Sequence, residues 1–136
     1  MKSIPLDADW RYFPNEVMDA AYGVSELDES SWGVLPNLAD YPHDLIAVSG
    51  TLNLRRTFDI EPIADVCLRF FIDLQHAPKG TELYVNGWHL GTHQNDEALH
   101  ADVTDTVSLE DNLILIKLTH SGELSGLSLQ SVPCDL

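Results

Sequence analysis

His93, Gln94, Asn95, Asp96 and His100 crowd into one eight-residue stretch, HQNDEALH. Amides both donate and accept hydrogen bonds, ionised carboxylates accept, and imidazoles can do either. That combination suits a ligand rich in hydroxyl groups, and these five residues are the candidate ligand-binding cluster. The plain alternative is a polar loop in water. Asp96, Glu97 and Asp102 could offer oxygens to a hard cation such as Ca2+, but no EF-hand-like spacing runs through them. His89 and His93 stand four positions apart, a spacing that suits a metal on a helix but not on a strand. The expectation is therefore no metal and no cofactor. The chain shows no nucleophile motif and no phosphate-binding loop, so a non-enzymatic role is expected.

The elements that must position this cluster read as strands. VCLRFFIDL (66–74) alternates, with Val66, Leu68, Phe70, Ile72 and Leu74 on one face and Cys67, Arg69, Phe71 and Asp73 on the other. TLNLRRTF (51–58) alternates too, and Arg56 shares the parity of Leu52, Leu54 and Phe58. Arg56 is then either at a strand end or a buried cation in need of a carboxylate. LILIKLT (113–119) and GLSLQSV (126–132) read as two further strands, with one short helical turn within 102–112 before the first of them. Convincing helical periodicity is absent. Short strands punctuated by Asn, Gly, Asp and Pro predict an antiparallel sandwich or barrel.

Asn86-Gly87 is a strong hairpin signal, because a type I′ turn needs positive φ at both central positions. A two-residue loop pairs Val85 with Trp88, Tyr84 with His89 and Leu83 with Leu90. Leu83, Val85, Trp88 and Leu90 then share one face, which predicts a core position for Trp88, and Tyr84 and His89 share the other. Trp32 is expected at the edge of the core and Trp10 at its base, with Asp28 and Glu29 turning the chain before Trp32.

The bulk numbers narrow the function. The 136 residues match one domain, and 44% hydrophobic content is that of a globular chain. Seven Lys and Arg against 22 Asp and Glu give a net charge of −15, which argues against nucleic acid and against an anionic membrane surface. No apolar run reaches the roughly 18 residues of a membrane span. The opening MKSIPLDADW lacks the apolar stretch of a secretory leader, so a cytoplasmic location is expected. Two isolated cysteines, Cys67 in an apolar strand and Cys134 in the tail, predict neither a disulfide framework nor a zinc site.

The ordered motifs resemble a known family. Val85-Asn86-Gly87 followed by Gly91 and His93, then Asp102-Val103-Thr104 and DNLILIKL (111–118), resembles the "VNG…G.H…D.T…GN.L.V.V" run of one sugar-binding domain. That domain stands at the N-terminus of family 2 glycoside hydrolases, which include β-galactosidases, β-mannosidases and β-glucuronidases. LDESSWGVLP (27–36), GTLNLRRTFDI (50–60), VCLRFFID (66–73) and the opening Trp10-Arg11-Tyr12-Phe13 extend the likeness over residues 7 to 132. The resemblance implies an all-β, jelly-roll β-sandwich of the galactose-binding-domain-like type, spanning 1–136 as a single domain without the catalytic barrel.

The family's "GGYTPF" is replaced here by Asn95-Asp96-Glu97-Ala98-Leu99-His100, and LNLRRTF lacks the family's aromatic. A ring normally used as a sugar platform is thereby lost. Two functions follow as expectations: a structural or interaction subunit that docks onto a larger protein assembly, or a free-standing carbohydrate-binding module. The eroded loop gives the first a slight lead.

Overall fold

A computed structural model describes residues 2–14, 32–61, 66–93 and 98–134. Ten strands are described: β1 (Lys2–Pro5), β2 (Ala8–Pro14), β3 (Gly33–Asn37), β4 (Leu52–Phe58), β5 (Leu68–His76), β6 (Glu82–Val85), β7 (Trp88–Thr92), β8 (Leu99–Asp102), β9 (Asn112–Leu118) and β10 (Ser125–Pro133). They form two antiparallel sheets, a four-stranded one ordered β1-β10-β5-β8 and a six-stranded one ordered β3-β2-β4-β9-β6-β7. The architecture is the all-β jelly-roll sandwich expected from the alternation and the resemblance.

The alternating faces close on each other. Leu52, Leu54, Leu83, Val85, Ile114, Ile116 and Leu118 of the larger sheet meet Ile72, Leu74, Leu127 and Leu129 of the smaller one, all buried. Each such side chain contributes about 1.5–3 kcal/mol when removed from water. Trp10 is buried as expected, and its indole N–H donates to the Leu6 carbonyl at 2.7 Å. Trp32 packs with Leu115, Phe13 and Tyr84 in a smaller cluster separate from the main core. Asp28 and Glu29 lie outside the described residues.

Four readings of the sequence are corrected. Trp88 is not in the core but 69% exposed. It sits on β7, the edge strand of a sheet two strands wider than the one facing it. A core-face position on such an edge is covered only where the opposing sheet reaches it. Leu83 pairs with Gly91 rather than Leu90, because the ladder shifts between Leu83 and Tyr84; such an irregularity re-aims side chains beyond it.

The fully buried cation is Arg55, whose guanidinium lies 5.6 Å from the Trp32 ring centroid. Arg56 is half-buried; burial lowers its pKa, opposed by the charges of Asp9 and Asp7. Finally, Cys67 and Cys134 form a disulfide with Cα atoms 5.4 Å apart. They follow directly from the β5–β10 ladder, where Leu68 pairs with Pro133 and the Cys134 N–H donates to the Cys67 carbonyl at 2.9 Å. Adjacency of those two strands brings together residues 67 positions apart, and a bridge closing so long a loop stabilises by about 2–4 kcal/mol.

A helix also went unseen in the sequence. α1 (His43–Ser49) is seven residues long and buries Ile46 before Gly50, at φ 82°, ends it. Two turns are too few to display a period.

The Asn86-Gly87 turn has φ of 50° and 86°, the left-handed pair that a type I′ hairpin requires. Asn86 does more than turn. Its Nδ2 donates to the Thr106 carbonyl at 2.9 Å and to Asn112 Oδ1 at 3.1 Å, and its Oδ1 accepts the Leu113 N–H at 2.9 Å. Asn112 is fully buried and also exchanges two 2.7 Å bonds with the Ser108 backbone. Asn86→Gly keeps the turn conformation and deletes the side-chain bonds. It is expected to destabilise the fold by about 1–3 kcal/mol in urea unfolding; an unchanged midpoint would show that the hub contributes nothing beyond the turn.

Candidate functional site

One end of the sandwich gathers the β5–β6 and β9–β10 connections, His93 at the end of β7, and α1. Antiparallel strands alternate in direction, so every second connection returns to the same end. The backbone joins these loops tightly. The His93 N–H donates to the Thr81 carbonyl at 2.7 Å, and the Gly80 N–H, with Gly80 at φ 83°, donates back to the His93 carbonyl at 3.0 Å. Thr81 Oγ1 donates to the Pro78 carbonyl at 2.7 Å. Across the end, the Tyr41 hydroxyl donates to the Gly122 carbonyl at 2.5 Å and accepts its N–H at 2.9 Å. His43 stacks on Tyr41 at 4.0 Å and places Nδ1 2.5 Å from Ser121 Oγ.

These loops enclose a cavity of about 450 Å³, lined by His76, Lys79, His93, Ser121 and Glu123 among others. His93 is 2% exposed, and neither of its ring nitrogens has a hydrogen-bond partner among the described residues. Leaving a buried polar atom unpaired costs about 1–3 kcal/mol, and both nitrogens are closed off from solvent as well as from the described polar groups. Lys79 brings donors, Glu123 acceptors, and Ser121 a hydroxyl. His76 and Glu123 approach to 3.8 Å with both side chains largely in solvent, a pair of little energetic weight.

The candidate cluster does not stay together. His93 lines the cavity, whereas His100 lies on β8 against the outer face of the smaller sheet. There its ring stacks on Phe71 at 4.9 Å and its Nδ1 lies 3.3 Å from Asp73 Oδ1. Arg69 covers Phe71 from 5.5 Å and pairs with Asp102, so these groups satisfy one another. Gln94, Asn95 and Asp96 lie outside the described residues. His89 diverges from His93, tilting against Tyr84 at 5.0 Å. Among the described residues no group of three or more His, Cys, Asp or Glu could hold a metal ion. Asp102, considered for Ca2+, is engaged with Thr104 and Arg69, while Glu97 lies outside the described residues.

Sequence reasoning missed His76, the last residue of β5, and Lys79, Ser121 and Glu123, which sit in two loops apart from His93 along the chain. The signal available was the strand order: once β5, β7 and β9 are seen to run the same way, their C-terminal ends must lie at the same end of the sandwich.

No family model matches the chain, and no curated protein matches it. Solved structures do. A β-glycosidase from Bacteroides vulgatus aligns with TM-score 0.76 and 17% identity over 96% of this chain and 20% of its own. A glycosyl hydrolase family 2 member from Bacteroides cellulosilyticus DSM 14838 aligns with TM-score 0.72 and 20% identity over 96% of this chain and 21% of its own. A Bacteroides uniformis β-glucuronidase aligns with TM-score 0.76 and 19% identity, covering 97% and 18%. The chain thus has the fold of a β-sandwich that makes up about a fifth of these family 2 enzymes.

The Asp102 carboxylate offers a test of the outer-face network. Its pKa is lowered from 3.8 to about 2, first by the Thr104 hydroxyl, then by the Thr104 N–H and by Arg69. A depressed carboxylate pKa stabilises the fold above the ordinary value and loses that contribution as pH falls through the depressed one. Wild type is expected to melt above Asp102→Asn near neutrality, with the gap closing between about pH 4 and about pH 2. The side chain is 39% exposed, so solvent screening keeps the gap small. A gap independent of pH in thermal melts would remove the carboxylate as its source.

Proposed function

We propose that this domain is a non-catalytic carbohydrate-binding module whose site is the cavity at the loop end of the sandwich. The observation that carries the reading is the cavity itself, lined by the donors and acceptors of His76, Lys79, Ser121 and Glu123. A cavity of about 450 Å³ lies within the roughly 300–1,000 Å³ range of small-molecule sites. The fold is shared with enzymes named as glycosidases and glucuronidases, which act on carbohydrates. Catalysis of their kind calls for two carboxyl groups placed about 5–5.5 Å apart in retaining enzymes. Glu123 is the one carboxylate among the lining residues described, so the site is read as binding without turnover.

A second reading, docking onto a larger protein assembly, is favoured by Trp88. A tryptophan 69% exposed on a hydrogen-bonded hairpin is the type of side chain that anchors interfaces. The net charge of −15 favours a partner other than nucleic acid. The disulfide changes the expected setting: a Cys67–Cys134 bridge belongs to an oxidising compartment, and we propose that environment in place of the cytoplasm.

Titration calorimetry with a panel of simple glycosides tests the main reading. Binding in the weak range of one small site is expected, reduced about threefold to tenfold in Glu123→Ala, since a polar contact to a ligand is worth about 0.5–1.5 kcal/mol. Absence of binding to every sugar, with a complex far larger than 15.1 kDa that Trp88→Ser dissolves, would replace it with the docking reading.

A further inference from the structure

We infer that Tyr41 and His43 are positioning residues of the ligand site, holding from outside the cavity the wall that carries Ser121 and Glu123; this rests on the carbohydrate reading above. Neither is among the residues described as lining the cavity. The wall they hold lies between Leu118, the last residue of β9, and Ser125, the first of β10, so Ser121, Gly122 and Glu123 stand off the sheet ladder. Ser121 and Glu123 are exposed. The backbone bonds described for these three residues are the two that Gly122 makes with the Tyr41 hydroxyl. A loop off the ladder needs an anchor before its side chains can present a fixed shape to a ligand.

Tyr41 is 2% exposed and belongs to the main core. Packing fixes its ring, and the hydroxyl therefore stands at a fixed point. That hydroxyl accepts the Gly122 N–H at 2.9 Å and donates to the Gly122 carbonyl at 2.5 Å. The two groups belong to different peptide units: the N–H to the plane joining Ser121 to Gly122, the carbonyl to the plane joining Gly122 to Glu123. Each unit is rigid, so gripping one group of each restrains the two dihedrals between them. Glycine has a wider conformational range than other residues, so this is where the wall would otherwise bend. The opposite wall limits the same residue. A Cβ at Gly122 would lie 3.3 Å from Pro78 Cγ and 3.4 Å from Pro78 Cβ, so the two walls meet there at close range. His43 completes the anchor. Its ring stacks on Tyr41 with centroids 4.0 Å apart, and its Nδ1 lies 2.5 Å from Ser121 Oγ. Core ring, stacked ring and serine hydroxyl thus lead from the interior to an oxygen of the cavity wall.

Ser121 and Glu123 flank the gripped residue, so one pair of bonds sets both. A ligand that meets a wall already in place loses no affinity to ordering it. Removing the Tyr41 hydroxyl keeps the ring and its packing but frees the loop, and the cost of ordering then falls on binding. A contribution to stability alone would not do this. Well below the melting temperature nearly every molecule is folded, so such a loss would appear in the melt and not in the affinity.

The experiment is titration calorimetry of the intact chain with the methyl β-glycosides of glucose, galactose and mannose. Wild type, Tyr41→Phe, His43→Ala and Asn86→Gly are compared well below their melting temperatures, with circular dichroism verifying each fold. Asn86→Gly is the control, because it destabilises the sandwich from its opposite end. The glycoside that wild type binds is expected to bind Tyr41→Phe at least about fivefold more weakly and Asn86→Gly within about twofold of wild type. His43→Ala, which leaves the core untouched, should weaken it about twofold or more. Ser121→Ala should cost less affinity in the Tyr41→Phe background than in wild type, because its hydroxyl is no longer held in place. Hydrogen exchange of the unliganded chain reads the anchor directly: the amides of 119–124 are expected to exchange at least about fivefold faster in Tyr41→Phe, with those of 82–92 unchanged. Wild-type affinity in Tyr41→Phe and His43→Ala, or unchanged exchange at 119–124, would overturn this inference and leave the carbohydrate reading standing. Binding of none of these sugars to wild type would overturn the carbohydrate reading, and the inference with it.

Discussion

The hydrogen-bonded hub between Asn86 and Asn112 is the interaction on which the arrangement of this sandwich turns. A type I′ hairpin needs left-handed residues, and asparagine is among the few side chains that tolerate that conformation. Here the same asparagine also reaches the Thr106 carbonyl, the Leu113 N–H and the Asn112 amide. Asn112, fully buried, holds the Ser108 backbone in turn. One residue thus sets the direction of β7 and fixes the long connection leading into β9. With β9 central in the six-stranded sheet, an error at this hub would move the register of β4 and β6 together, and a one-residue slip would turn Ile114 and Ile116 out of the core.

The two ends of the sandwich have different physical characters because of this. The hairpin end is tied by side-chain amides and leaves Trp88 facing solvent. The opposite end is tied mostly by backbone bonds, His93 to Thr81 and Gly80, and by the Tyr41 hydroxyl to Gly122. Using backbone groups for closure leaves side chains uncommitted. His93 is locked in position by its own N–H and carbonyl, while its ring nitrogens have no hydrogen-bond partner among the described residues. Positions at this end are therefore set by the backbone of the fold.

Much of the fold is legible in the sequence, and the reasons are local. Alternation at 52–58 and 68–76 and the Asn-Gly dipeptide depend only on neighbouring residues. What the sequence conceals depends on which strands become neighbours. Trp88 reads as core because its parity matches Val85, yet parity says nothing of where the facing sheet ends. Cys67 and Cys134 read as isolated because their meeting is a property of the β5–β10 ladder. The candidate site shows the same split. His93 and His100 are close along the chain, but one precedes β8 and the other lies within it, so the fold sends them to different surroundings. Lys79 and Glu123 become legible only from strand order.

The two histidines contrast in their surroundings. His100 has a ring partner in Phe71 and a polar partner in Asp73, and Asp73 also receives Gln75. Its neighbours are complete, so it fixes β8 to β5 and asks for nothing further. His93 has the greater burial, and among the described residues its ring nitrogens have no hydrogen-bond partner. A protein of this size holds only about 5–15 kcal/mol of net stability, so two unpaired buried nitrogens consume an appreciable part of it. A leucine of similar volume would fill the same wall without that penalty. What the fold draws from His93 is its backbone, whose N–H and carbonyl close this end of the sandwich against Thr81 and Gly80.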